Sequence, residues 1–221
     1  MRLLLENVRV RAADGAAKRT LLAVDRFTLA SGERLGLRGA SGSGKTTFLK
    51  AISGILRPEG SVLWDDTNLT CLSEADRDAW RGSNVGFLFQ DFRLFDGLNA
   101  LENVLLPVTF TRSVTDADRR RGVELLERFG VRPQTEASRL SRGEMQRTAL
   151  VRVLLQSPAV ILADEPTASL DKPNARAVMA ALTAAAEELK STLIVVTHDP
   201  EMLATLPRIA SIEEGRLKEA S

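Results

Sequence analysis

Gly39-Ala40-Ser41-Gly42-Ser43-Gly44-Lys45-Thr46 fits the pattern G-x-x-x-x-G-K-[ST], and it lies between a short apolar run, Leu35 to Leu37, and a helical pattern over Thr46 to Ser53. A strand entering this loop and a helix leaving it give the pattern a physical purpose. Glycines let the loop curl until backbone N–H groups and the helix N-terminus point at phosphate oxygens. The Lys45 ammonium then bridges β- and γ-phosphates, and the Thr46 hydroxyl faces magnesium. The same residues could form a plain Gly/Ser-rich turn, but the flanking strand and helix argue for the phosphate cradle.

Working outward, Leu3, Leu5, Val8 and Val10 loosely alternate, Leu21 to Leu29 reads as a second strand, and Ser31-Gly32-Glu33 turns into Leu35 to Leu37. Beyond the loop, β-rich runs at Val62 to Trp64, Val85 to Phe89, Val160 to Ala163 and Leu193 to Thr197 alternate with helical patterns at Ser141 to Gln156 and Lys172 to Lys190. Such alternation predicts an α/β fold with a largely parallel sheet covered on both faces. Between Ala100 and Gly130 the pattern is helical only, with Pro107 ending one helix and Asp116 to Phe129 forming another, which suggests a small helical lobe. Ile209 to Ile212 and Arg216 to Glu219, split at Gly215, read as a terminal strand pair.

The 221 residues carry 30 Lys plus Arg against 29 Asp plus Glu, so no basic excess advertises nucleic acid. Cys71 is the only cysteine, which excludes an internal disulfide and leaves no zinc-type cluster. Met1 to Arg11 is broken by Glu6 and Asn7 and does not read as a secretory signal. No stretch reaches the roughly 18 apolar residues of a membrane span, so any membrane role is expected to come from a partner.

Val160-Ile161-Leu162-Ala163-Asp164 is a buried-strand run ending in a carboxylate, the arrangement that sets an acid beside phosphates to hold magnesium. Glu165 follows and is suited to orient or deprotonate an attacking water. Ser141, with Glu144 three residues on, reads by itself as a capping box and nothing more. His198, the only histidine, sits just beyond a predicted strand, at the sheet edge where ligands bind.

The order of these parts is the phosphate loop, Gln90, Leu140-Ser141-Arg142-Gly143-Glu144, Asp164-Glu165, Ser169-Leu170-Asp171 and His198. From about Leu3 to about Leu217 it resembles the nucleotide-binding subunits of ABC transporters. The resemblance implies a P-loop NTPase with a mixed, mainly parallel sheet, an N-terminal antiparallel β segment and a helical lobe at about residues 91–157, in one domain over residues 1–221. It implies ATP and Mg2+ as cofactors, with Gly39, Ala40, Ser41, Gly42, Ser43, Gly44, Lys45, Thr46 and Thr47 around the phosphates. Thr46, Gln90 and Asp164 would hold the metal, and Glu165, His198 and Gln90 would serve hydrolysis. Two such chains would meet head to tail as a homodimer, Ser141 and Gly143 reaching the partner's γ-phosphate and Asp171 lying in the loop that links the two sites. The segments Val85 to Gln90, Leu98 to Val104 and Leu162 to Thr167 resemble in particular the lipoprotein-release, macrolide-export and cell-division ATPases. That subgroup implies a separate transmembrane permease and a cytoplasmic location on the inner face of the cell membrane.

Two departures stand out. Arg142 occupies a signature position that is usually Gly, and we expect it to adjust charge or rate without abolishing the site. The aromatic that usually stacks on adenine is missing, the chain having no Tyr; Arg11 could stack its guanidinium plane on the base, or a neighbouring residue could serve. Apolar residues in Asp91 to Phe95 could be a socket for a permease helix or could be buried against the helical lobe. The rival functions are a soluble ABC-type ATPase acting on nucleic acid or ribosomes and a low-turnover regulatory ATP-binding module. Against the first stand the neutral charge balance, the single cassette and the lack of a coiled-coil insertion. Glu165 and His198 stand against the second.

Overall fold

The computed structural model describes residues 1–14, 17–168 and 170–219. Strands β1 (Leu3–Asp14) and β2 (Ala17–Leu29) form a long antiparallel ribbon. Its alternation is loose for a structural reason. Leu3 and Leu5, then Val8, are buried on β1, and Val24, then Phe27 and Leu29, on β2, so the two strands change phase at the same level. Asn7 there takes φ 53, a left-handed conformation that asparagine tolerates. A turn at Gly32 (φ 75) leads into β3 (Arg34–Arg38), whose end opens the phosphate loop and α1 (Lys45–Ile52). The next pair, β4 (Glu59–Trp64) and β5 (Thr67–Asn68), extends the antiparallel part beside β1.

After α2 (Glu74–Asn84), strand β6 (Val85–Leu88) begins the parallel part. Three helices follow: α3 (Ala100–Thr109), α4 (Asp116–Arg128) and α5 (Arg142–Leu155). The chain then runs through β7 (Val160–Asp164), α6 (Lys172–Leu189), β8 (Thr192–Val196), α7 (Pro200–Leu203), β9 (Arg208–Glu213) and β10 (Arg216–Glu219). All ten strands form one sheet in the order β5-β4-β1-β2-β10-β9-β3-β8-β7-β6. Strands β9, β3, β8, β7 and β6 are mutually parallel, and the terminal hairpin β9–β10 joins them to the antiparallel ribbon through β2.

The central strands read as continuous apolar runs because both faces are covered. On β7, Val160 and Leu162 enter a core shared with β1, β4 and α1, while Ile161 and Ala163 enter a second core against α5 and α6. Each of Val160, Ile161 and Leu162 contributes about 1.5–3 kcal/mol when fully buried. A third core joins α3, α4 and α5, and α5 serves both, with Leu150 and Val153 turned to the sheet and Val151 and Leu155 to the lobe.

One local expectation changes, and one helix went unread. Pro107 lies inside α3, which continues to Thr109. Proline removes only its own N–H, and burial of Val104, Leu105 and Val108 holds that last turn in place. Helix α2 went unread in the sequence: none of its residues is fully buried, Trp80 packs in part against the core and stacks on Trp64, and its Ser73 N-cap accepts from the Asp76 amide.

Candidate active site

The phosphate loop leaves the carboxyl end of β3 and closes on α1. Gly44, at φ 111, caps the helix, and a side chain there would meet the Leu21 carbonyl at 2.8 Å. At Gly39 an added Cβ would lie 2.5 Å from the Ile212 carbonyl and 2.6 Å from Ser43 Oγ, so only glycine fits. Lys45 Nζ donates to the carbonyls of Gly39 (2.7 Å) and Ala40 (2.9 Å), folding its charge over the loop. Ser43 Oγ is buried without a hydrogen-bond partner, a donor held where an anion would meet it.

Parallel pairing brings the other carboxyl ends alongside. Asp164, last residue of β7, accepts from the Thr46 hydroxyl at 3.1 Å. Burial pushes its carboxyl above the usual range; the Thr46 hydroxyl works against that shift, Glu165 adds to it, and Lys45 and Lys50 oppose it. Glu165 adopts φ 48, and its N–H donates to the Val196 carbonyl of β8 at 2.8 Å. A left-handed non-glycine residue costs about 1–3 kcal/mol, and here the side chain it directs meets His198. His198 Nδ1 lies 3.0 and 2.9 Å from the two Glu165 oxygens, with Glu165 only 14% exposed and His198 70%. The pair sets a carboxylate acceptor against an exposed imidazole, groups able to orient and deprotonate a water. Gln90 is exposed in the turn after β6, next to β7 in the sheet, and forms no hydrogen bond with these groups among the described residues.

The signature residues sit elsewhere. Ser141 caps α5, its hydroxyl accepting from the Glu144 amide while the Glu144 carboxylate accepts from the Ser141 amide (2.9 Å) and hydroxyl (2.6 Å). The Ser141 hydroxyl and amide hold the Glu144 carboxyl below its ordinary value. Ser141 is exposed, Gly143 half-buried, and neither lines the hollow at the phosphate loop. The Arg142 guanidinium lies 5.9 Å above the Phe92 ring, and Arg152 of the same helix donates to the carbonyls of Phe92 (2.5 Å) and Arg93 (2.7 Å). The turn after Gln90 is thereby tied to α5. Asp171 is the N-cap of α6, accepting from the Asn174 amide at 3.0 Å. Ser169 lies outside the described residues.

The structure moves one expected contact. Arg11 pairs with Glu59 at 3.0 Å and faces a neighbouring hollow. The hollow of about 530 Å³ at the loop is lined by Gly42 to Thr47 together with Arg19, Thr20, Leu21, Glu214 and Gly215. These last residues come from β2 and the β9–β10 turn, and no local pattern in the sequence points to them. Gln146 was also missed: it is buried and its side-chain amide donates to the Pro166 carbonyl, fastening α5 to the segment after Glu165.

The sequence matches the family described as ABC transporter over residues 22–168. It is 37% identical to the lipoprotein-releasing system ATP-binding protein LolD of Bordetella pertussis over 208 residues, covering 93% of this chain and 90% of that protein. LolD of Pseudomonas syringae pv. tomato is 37% identical over 192 residues, 86% of this chain and 85% of that one. Among solved structures, the dimeric post-hydrolysis state of the ATP-binding cassette MJ0796, bound to ADP and Pi, superposes with a TM-score of 0.89 at 32% identity, covering 98% of each chain. With the phosphate loop, the Asp164-Glu165 pair and the signature helix in place, the chain belongs to the ABC transporter family, as one of its ATPase subunits.

Proposed function

We propose that this ATPase works as a homodimer closed around two ATP and drives a separate membrane permease, to which it binds on the cytoplasmic face. One observation carries the permease reading. The exposed large apolar side chains Ile55, Phe95 and Phe110 all line a single groove of about 830 Å³, whose wall includes Arg93 from the turn after Gln90. Phe92 of that turn is buried at 6% exposure while Phe95 stands out at 57%, so the segment both anchors itself and presents a surface. No helix among the described residues is long and apolar enough to cross a membrane, so the spanning part belongs to the partner.

In the proposed mechanism Lys45 and the loop amides bind the phosphates, Glu165 takes the proton of the attacking water, and His198 orients Glu165 and faces the γ-phosphate. The hard oxygen donors of Thr46 and Asp164 fit Mg2+, and burial of Asp164 leaves its carboxylate in need of a cation; Gln90 supplies a further amide oxygen. Held there by Thr46 and Asp164, such an ion would neutralise charge on the phosphate oxygens. Exposed Ser141 and Gly143 await the γ-phosphate of the second chain, in an isologous twofold contact that weakens once that phosphate is lost.

Affinity capture tests the reading. Tagged Glu165→Gln protein with Mg-ATP, taken from detergent-solubilised native membranes, should retain a dimer and recover one multi-span permease identified by mass spectrometry. Adding Phe110→Asp should release the permease without loss of ATP binding. Recovery of ribosomes or DNA-bound proteins with no membrane protein would overturn it.

A further inference from the structure

The hollow at the phosphate loop has two ends. Gly42 to Thr47 supply the phosphate end, and Arg19, Thr20, Leu21, Glu214 and Gly215 supply the other. A nucleotide with its phosphates on the loop therefore has its base directed to the β2 end. A purine is a flat apolar plate with polar edges, and it needs a planar group over its face. None of the described residues lining this hollow is aromatic.

The planar cation there is Arg19. In the β1–β2 ribbon Arg19 stands directly opposite Ala12, whose methyl leaves the shared face open, and the Arg19 side chain is exposed. Arg11 stands opposite Thr20, one pair along, past a shift of register between Val10 and Arg11, and its guanidinium is engaged by Glu59. No ion pair among the described residues engages Arg19. A guanidinium is delocalised, weakly hydrated on its faces and stacks on aromatic rings, which an ammonium does not do.

We propose that Arg19 is the base-stacking residue of this site, its guanidinium lying on the purine face in place of an aromatic side chain. The proposal rests on the ATP-binding reading and goes beyond it to the nucleoside. Stacking touches the face of a base and leaves its edges unread, so Arg19 serves adenine and guanine alike.

Calorimetric titration of ATP, ADP and GTP, each with Mg2+, into wild-type, Arg19→Ala, Arg19→Lys and Arg19→Tyr proteins tests it. Losing one stacked base contact weakens binding about tenfold. That factor is expected for Arg19→Ala with all three nucleotides. Arg19→Tyr should recover the affinity because the plane returns, and Arg19→Lys should not. If Arg19→Lys bound as wild type and Arg19→Tyr did not, Arg19 would be a phosphate cation and the proposal would fail. Wild-type affinity in Arg19→Ala, or the tenfold loss appearing in Arg11→Ala instead, would also overturn it. Should the wild-type chain bind none of the three, the nucleotide reading itself falls.

Discussion

At the carboxyl edge of the sheet, Thr46 reaches Asp164 across 118 positions of sequence, and His198 meets Glu165 across 33. At the N-terminus of α5, Ser141 and Glu144 close on one another within a single turn. The electrostatics differ in the same sense. Burial raises the Asp164 carboxyl, whereas hydrogen bonds from Ser141 lower that of Glu144. The sheet edge is thus an assembled site that holds a buried carboxylate at a cost. The helix end is locally satisfied, with its N-terminus exposed.

Breaking the assembled end should give the largest effect. Lys45→Ala removes the charge that bridges the phosphates, and steady-state ATP hydrolysis should fall by about 100-fold or more; turnover at the wild-type rate would show that this loop does not carry the chemistry. The second end is tested by Ser141→Asp in the Glu165→Gln background. Aspartate still accepts from the Glu144 amide but cannot donate to the Glu144 carboxylate, so the melting temperature should fall by about 2 °C, while its charge opposes the γ-phosphate proposed to meet it from the partner. The dimer expected with Mg-ATP on a sizing column should become a monomer; a persistent dimer would confine Ser141 to capping.

The two carboxyls sharpen the contrast at smaller amplitude. Asp164 has a folded value above its unfolded one, so its ionised form opposes folding, fully so above the folded value, and the penalty vanishes as pH falls below the unfolded value. Asp164→Asn should therefore raise the melting temperature of nucleotide-free protein by about 2 °C at pH 7 and give no gain at pH 3. For Glu144 the sign is reversed. Its folded value is depressed, so its contribution is complete above the unfolded value and is lost as pH falls through the folded one. Glu144→Gln, which still caps, should lower the melting temperature by about 1 °C at neutral pH, with the difference closing in acid. Equal pH profiles for the two variants would remove the distinction.

Local pattern carried much of this into the sequence. The phosphate loop, the apolar run ending at Asp164 and the capping box at Ser141 are each contiguous, and each folds as read. The terminal hairpin split at Gly215 was legible for the same reason. Helix α2 escaped because none of its residues is fully buried, Trp80 packing on the core only in part, and Pro107 misled because packing of its neighbours outweighs one missing hydrogen bond. The phenylalanines after Gln90 could not be divided by spacing alone: Phe92 turned out buried and Phe95 exposed.

The sequence by itself determined the family, the phosphate loop and the chemical types at the hydrolytic edge, because these reside in short runs whose backbone conformation and side-chain chemistry are set locally. Tertiary structure decided which groups meet. It paired Glu165 with His198 by placing β7 beside β8, and it brought the β9–β10 turn against β2 to finish the hollow. It also drew Arg11 to Glu59 and left Arg19 lining the hollow from β2, because cross-strand register, which no single run specifies, sets which side chain faces which cavity.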